Sequence, residues 1–161
     1  MPRYFSTKTY GNERGLSCCF RQHKAESHCS KLHGYSLGFR IKFEADELDD
    51  KNWVQDFGGL DEVYEYLQRH FDHTLAVAEN DPALEAMQAL GDLGNKIANV
   101  KVFPAVGCES FARFVYEFVE AWLSDQPTNK YKNLMGDEYQ RVFVKNVECF
   151  EHSGNSAIYG D

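Results

Sequence analysis

The sequence predicts an α+β fold: an antiparallel four-stranded sheet carrying two main helices on one face. Three observations predict it. A strictly alternating run lies at residues 33–45, two long segments repeat apolar residues at three-and-four spacing, and a second alternating pair closes the chain. Strands, helices and strands thus follow in that order, the order of helices packed on one side of an antiparallel sheet. The 161 residues form one domain by size, 1–161, with no repeat, low-complexity tract or linker dividing them.

Each element has its own signal. Residues 3–10 and 16–22 read as extended. Tyr35, Leu37, Phe39, Ile41 and Phe43 share one side of the 33–45 segment, with small or polar residues between them, the period of a half-buried strand. Glu44 to Asp50 is an acidic, solvated turn. A helix runs from about Gly59 with Leu60, Val63, Tyr64, Leu67 and Phe71 on one face. Asp81–Pro82 to Leu90 reads as a short helix and Ile97 to Phe103 as extended. The second long helix follows Pro104–Gly107 and repeats Phe111, Phe114, Val115, Phe118, Val119 and Trp122. Arg141 to Glu151 and Ser156 to Tyr159 read as a hairpin.

Composition narrows the function. A formal charge of −8 without a basic run argues against nucleic acid, which needs clustered Lys and Arg, and favours a small polar substrate or a protein partner. The five cysteines are odd in number, have no repeated spacing and follow no signal-like segment, so a reduced, cytoplasmic setting is expected. No apolar run approaches a membrane span.

Candidate site residues cluster at strand ends. The segment His28 to Tyr35 sets a thiol, an imidazole and a phenol at the mouth of a strand. Extending the register backward puts His33 beside Tyr35, roughly 6 to 7 Å along the strand, with Cys29 just above them. A cysteine becomes an effective base only where a neighbour lowers its ordinary value of about 8.5. In Asp72–His73 the carboxylate can fix the imidazole tautomer and free the other nitrogen for proton exchange. The plainer reading has Asp72 capping a turn and His73 packing at a helix end. His70, one turn earlier, reads as a surface or helix-end residue. Glu151 lies in an alternating strand where an inward charge is costly unless paired, and Glu148 competes for the same role. Glu109 supports the first turn of the helix opening near Ser110, with a place at a ligand edge as its second reading.

The segment from Cys29 to Tyr35 resembles the Cys-x3-His-Gly-His signature of the 6-pyruvoyl and 6-carboxy-tetrahydropterin synthase family, with Tyr35 at the second histidine. Further blocks follow in family order. Trp53 to Leu60 is similar to G-x-V-x-D-F-x-x-L, Asp72 to Ala76 to D-H-x-x-L-N, Cys108 to Ala112 to S-E-N-L-A, and Glu151 with Ala157–Ile158–Tyr159 to the closing E-T-x(n)-I-Y block. The resemblance implies the tunnelling fold, whose sheets join edge to edge into a trimeric barrel and stack into a hexamer with sites at subunit boundaries. It implies a lyase acting on 7,8-dihydroneopterin triphosphate, in a pterin or queuosine (7-deazapurine) pathway. Glu151 then anchors the pterin ring, Cys29 accepts a proton, Asp72–His73 relay protons, and His33, Tyr35 and Glu109 line the substrate. The insert at about 77–103 is longer than in the simplest relatives and is expected at the rim of the site or at an oligomer contact.

The resemblance also implies zinc on three histidines, and here the chain departs from it. Aligning Leu16 to Phe20 on the family's F-S-A-A-H sets Phe20 at the first histidine position and Tyr35 at the third, so His33 is the one retained ligand. Zinc is therefore not expected at the family position, unless Cys18, Cys19, His23 or His28 replace the lost ligands. The rival function is a metal-free protein of the same fold that holds a pterin or purine-like ring without turnover. An altered reaction such as retro-aldol cleavage of a pterin side chain is a third.

Overall fold

In the computed structural model, which describes residues 2–93 and 97–161, the alternating segment forms the central strand β3 (His33–Ala45). Two strands follow one another along it, β1 (Tyr4–Tyr10) opposite residues 39–45 and β2 (Leu16–Phe20) opposite residues 33–37, both antiparallel. A 3-10 turn at Asn12–Arg14 separates them. There the Asn12 amide donates to the carbonyls of Ser36 (2.5 Å), Phe150 (3.2 Å) and Glu151 (3.1 Å), so the break in the strand stitches β3 to the C-terminal strand.

Helix α1 (Asp61–Phe71) buries Val63, Leu67 and Phe71, as its three-and-four spacing predicts. Beyond it come strand β4 (Thr74–Ala78), helix α2 (Leu84–Asp92) and strand β5 (Asn99–Phe103). Helix α3 (Cys108–Asp125) follows, then a short hairpin, β6 (Lys130–Lys132) with β7 (Glu138–Gln140). The long hairpin of β8 (Val142–His152) and β9 (Asn155–Gly160) closes the chain, with β8 antiparallel to β3.

The antiparallel part is the expected one, but the sheet is larger and mixed. Among the described residues seven strands belong to it, in the order β5-β4-β2-β3-β8-β9 with β1 also on β3, and β4 and β5 run parallel to their neighbours. Of the extra strands, β4 begins just ahead of the insert and β5 lies within it; residues 94–96 of the insert lie outside the described residues. The cause of the difference is burial on both sides. Ala76 and Ala78 join the main core, while Leu75 and Val77 pack with Met87 of α2, so all five residues of β4 are buried and no alternation marks it.

The main core lies between the sheet and the two long helices. Leu37, Phe39, Ile41 and Phe43 of β3 and Val144, Val147 and Cys149 of β8 meet Val63, Leu67 and Phe71 of α1 and Phe111, Val115 and Val119 of α3. Phe114, Phe118 and Trp122, expected in the same stripe, are only partly buried. They form an aromatic flank instead, with Phe118 stacked on Tyr66 at 3.5 Å and the Trp122 indole donating to Glu62 at 2.6 Å. Among the described residues no helix is long and apolar enough to cross a membrane.

Candidate active site

The β2–β3 register decides which side chains meet. Phe20 pairs with His33 and Cys18 with Tyr35, which sets all four on the helix-covered face at the open end of β3. Phe20 is 2 % exposed and lies with its ring 5.3 Å from His33, 6.1 Å from Tyr35 and edge-on to Phe111 at 5.3 Å. His33 and Tyr35 meet edge to face at 5.5 Å. His33 Nδ1 lies 2.7 Å from the Lys31 carbonyl, so in the neutral ring Nδ1–H donates there and Nε2 is left as an acceptor.

Glu151 lies at a bulge near the end of β8, where the pairing with β9 shifts register between Phe150 and His152, and its carboxylate stands beside the Tyr35 phenol. Burial first, then the Glu151 carboxylate and the Cys29 thiol, push the Tyr35 phenol above its ordinary value. The phenol therefore keeps its proton at neutral pH and acts as a donor. Cys29 sits half-buried in a 3-10 turn, His28–Ser30, whose N-cap Ser27 accepts from the Cys29 backbone N–H at 3.3 Å. Elsewhere in the chain, burial pushes Cys18 up to about 12, and burial followed by contact with Cys108 pushes Cys149 well up, so both are inert core thiols.

Glu109 is exposed in the first turn of α3, where negative charge favours the helix. The preceding Gly107 has φ of +114° and lies against the Gln22 side chain, which donates to the Val106 carbonyl at 2.7 Å. A side chain at Gly107 would be strained and would push Gln22 away. Glu148, the competing anchor, is committed elsewhere, with an oxygen 3.0 Å from the Arg40 guanidinium.

Asp72 and His73 form the expected pair, Nδ1 to Oδ1 at 2.7 Å. They stand apart from the residues above. The His73 side chain is 86 % exposed, its φ is +50°, and it borders a groove of about 560 Å³ with Ser17, Cys19, Leu32, Ile97 and Asn99. Ser17 and Cys19 alternate with Cys18 and so belong to the other face of the sheet. The structure thus brings Cys29, His33, Tyr35 and Glu151 together within one chain and sets Asp72–His73 on a separate surface.

The residues present do not fit a three-ligand zinc centre. Of the family's three ligand positions, Phe20 offers no donor atom, Tyr35 offers a phenol and His33 an imidazole, and the further imidazole nearby, His152, lies 6.5 Å from the Tyr35 ring. The replacement ligands do not converge either. Cys18 is in the core, Cys19 is on the opposite face, His23 lies 3.9 Å from Asp81, and His28 is exposed in its turn. Among the described residues no group of three His, Cys, Asp or Glu side chains is placed to hold a metal ion.

A family profile described as 6-pyruvoyl tetrahydropterin synthase matches residues 11–161. The chain belongs to the 6-pyruvoyl tetrahydropterin synthase family. Its fold is also that of solved structures. The uncharacterized protein WS1659 from Wolinella succinogenes is 18% identical, with a TM-score of 0.75 over 100% of this chain and 99% of that one. The 6-pyruvoyl tetrahydropterin synthase of Caenorhabditis elegans is 15% identical, with a TM-score of 0.58 over 100% and 97%. That of Plasmodium falciparum is 11% identical, with a TM-score of 0.61 over 98% and 96%. At such identities the likeness is one of fold. A comparison with curated proteins found no match. Within the 6-pyruvoyl tetrahydropterin synthase family, then, this member carries an aromatic cluster where the histidine signature is interrupted.

Sequence reasoning missed three residues that shape the site. Asn12 ties the Glu151 carbonyl to the break between β1 and β2, and Arg21 and Asp81 meet across the base of the Cys29 loop. No local pattern announces such partners, since each pair is far apart in the chain.

Proposed function

We propose that the chain is a pterin-processing lyase that works without the family's zinc, with 7,8-dihydroneopterin triphosphate as the substrate class. The convergence of Cys29, Tyr35 and Glu151 at one end of the sheet is the observation that carries this reading. A pterin presents a ring N–H and an exocyclic amine side by side, and one carboxylate accepts both. Glu151 is that carboxylate. Tyr35 then donates a hydrogen bond to a side-chain oxygen of the substrate, and Cys29 accepts the proton leaving the adjacent carbon. In relatives zinc supplies Lewis-acid polarisation of such oxygens, a contribution of several kcal/mol. The donor set here supports hydrogen bonding in its place, from a single phenol.

Asp72–His73 complete this scheme only across a subunit boundary, since they occupy another surface of the chain. Two strand edges support assembly with further copies, β1 and β9, which expose Tyr4, Phe5 and Ile158 beside backbone groups unpaired on their outer sides. The proposed assembly is trimer-based, a hexamer, in the cytoplasm, and its product belongs to a pterin or queuosine pathway.

Incubating the protein with dihydroneopterin triphosphate in chelator-treated buffer tests the reading. We expect triphosphate release and an altered pterin side chain, both abolished by Cys29→Ala. Phe20 and Tyr35 at two of the family's zinc-ligand positions favour a second reading, a binder of pterin or purine-like rings without turnover. It would be indicated by saturable, Glu151-dependent binding of an unchanged ligand.

A further inference from the structure

We infer that the insert holds the Cys29 loop in place, through an ion pair between Arg21 and Asp81. The loop between β2 and β3 contains only one 3-10 turn, at His28–Ser30, yet Cys29 within it is half-buried beside Tyr35. Its two ends are drawn together at the neck. The Gln22 backbone N–H donates to the Cys29 carbonyl at 2.9 Å, and Arg21 Nη1 donates to the Ser30 carbonyl at 3.3 Å.

The same guanidinium turns its other edge to the insert. Arg21 Nε and Nη2 donate to the two oxygens of Asp81 at 2.9 and 2.6 Å, a bidentate pair. The Asp81 side chain is 1 % exposed and also accepts from the Ala83 backbone N–H at 2.8 Å, at the head of α2. The carboxylate is thus fixed to the insert, and the guanidinium carries that fixity to the loop. Lysine cannot reproduce the arrangement, because an ammonium lacks the planar fork that reaches two carboxylate oxygens and a carbonyl together. Arg21 and Asp81 are positioning residues, and the insert is a brace for the thiol.

This inference concerns the proposed site and rests on Cys29 being its working thiol, but its test uses no pterin, so its failure is separable from failure of the function. The rate of iodoacetamide alkylation is measured at Cys29 and at Cys19 by peptide mapping, in the full chain and in Arg21→Ala, Arg21→Lys and Asp81→Asn. Opening of the loop should raise the Cys29 rate about fivefold in Arg21→Ala and in Asp81→Asn, and by less in Arg21→Lys, with the Cys19 rate unchanged. Cys19 serves as the control for general loosening. An unchanged Cys29 rate in Arg21→Ala, or a rise at both thiols together, overturns the inference. A rise in Arg21→Ala without one in folded Asp81→Asn removes the insert from it. Should Asp81→Asn fail to fold, Asp81→Glu decides: it keeps the charge but displaces the carboxylate from the guanidinium, so the Cys29 rate should rise with the Cys19 rate unchanged, and an unchanged Cys29 rate removes the insert from the inference.

Discussion

Phe20 and His33 are register partners across β2 and β3, with ring centroids 5.3 Å apart, so a carbocycle occupies the position from which the imidazole would need a second metal ligand. Replacing Phe20 and Tyr35 together by histidine should create the three-imidazole set and raise zinc toward about one per chain after dialysis. Without metal the variant should be less stable by about 1 to 3 kcal/mol, because a polar ring then faces Phe111 in the core, and zinc should restore the loss. Elemental analysis and thermal melts check both. Stoichiometric zinc in the unaltered protein, released by His33→Ala, would contradict this picture of the site.

The Tyr35 phenol has its own signature. Tyr35→Phe removes a donor and leaves Glu151 in place, so turnover of dihydroneopterin triphosphate should fall at least about tenfold while pterin affinity holds or improves. Steady-state kinetics beside a binding titration separates the two effects. A loss of affinity with kcat intact would place Tyr35 at the ring and not at the side chain.

Much of this was legible in the sequence. The alternation of Tyr35, Leu37, Phe39, Ile41 and Phe43 marked β3 because one face of it is covered by helices, and the repeats at Val63, Leu67 and Phe71 marked α1 for the matching reason. The meeting of His33 with Tyr35 followed from strand period alone. Strand β4 was hidden because Leu75, Ala76, Val77 and Ala78 are buried on alternate faces by different helices. The Arg21–Asp81 pair was hidden because contact across 60 residues leaves no trace in local spacing. The separation of Asp72–His73 from Cys29 depends on which face a junction residue takes, and a left-handed φ at His73 is not readable from its type.

Alkaline pH should unfold the protein from within its core. Burial raises Cys18 from 9.0 to about 12 and both Tyr10 and Tyr66 from 10.0 to about 12. Above pH 9 the unfolded chain releases protons that the folded chain retains, so stability is full below that value and falls as pH rises toward about 12. Urea midpoints measured from pH 8 to 11 should decline steadily past pH 9, and less steeply in Tyr66→Phe. A flat profile across that range would be inconsistent with these groups being buried as described.

Assembly should depend on the free sheet edges. Ile158→Lys puts a charge on the exposed face of β9 and should convert the proposed trimer-based hexamer into smaller species by light scattering at micromolar concentration. A monomer in the unaltered protein would remove the proposed role of Asp72–His73 at a subunit boundary.

A pterin titration by calorimetry in chelator-treated buffer tests the central claim most directly, because it asks whether Glu151 holds the ring when no metal is available. We expect saturable binding of one pterin per chain, weakened roughly 10- to 150-fold in Glu151→Gln, which corresponds to about 1.5 to 3 kcal/mol for a hydrogen bond to a charged acceptor. Binding that appears only when zinc is added, or an affinity that Glu151→Gln leaves unchanged, would contradict it.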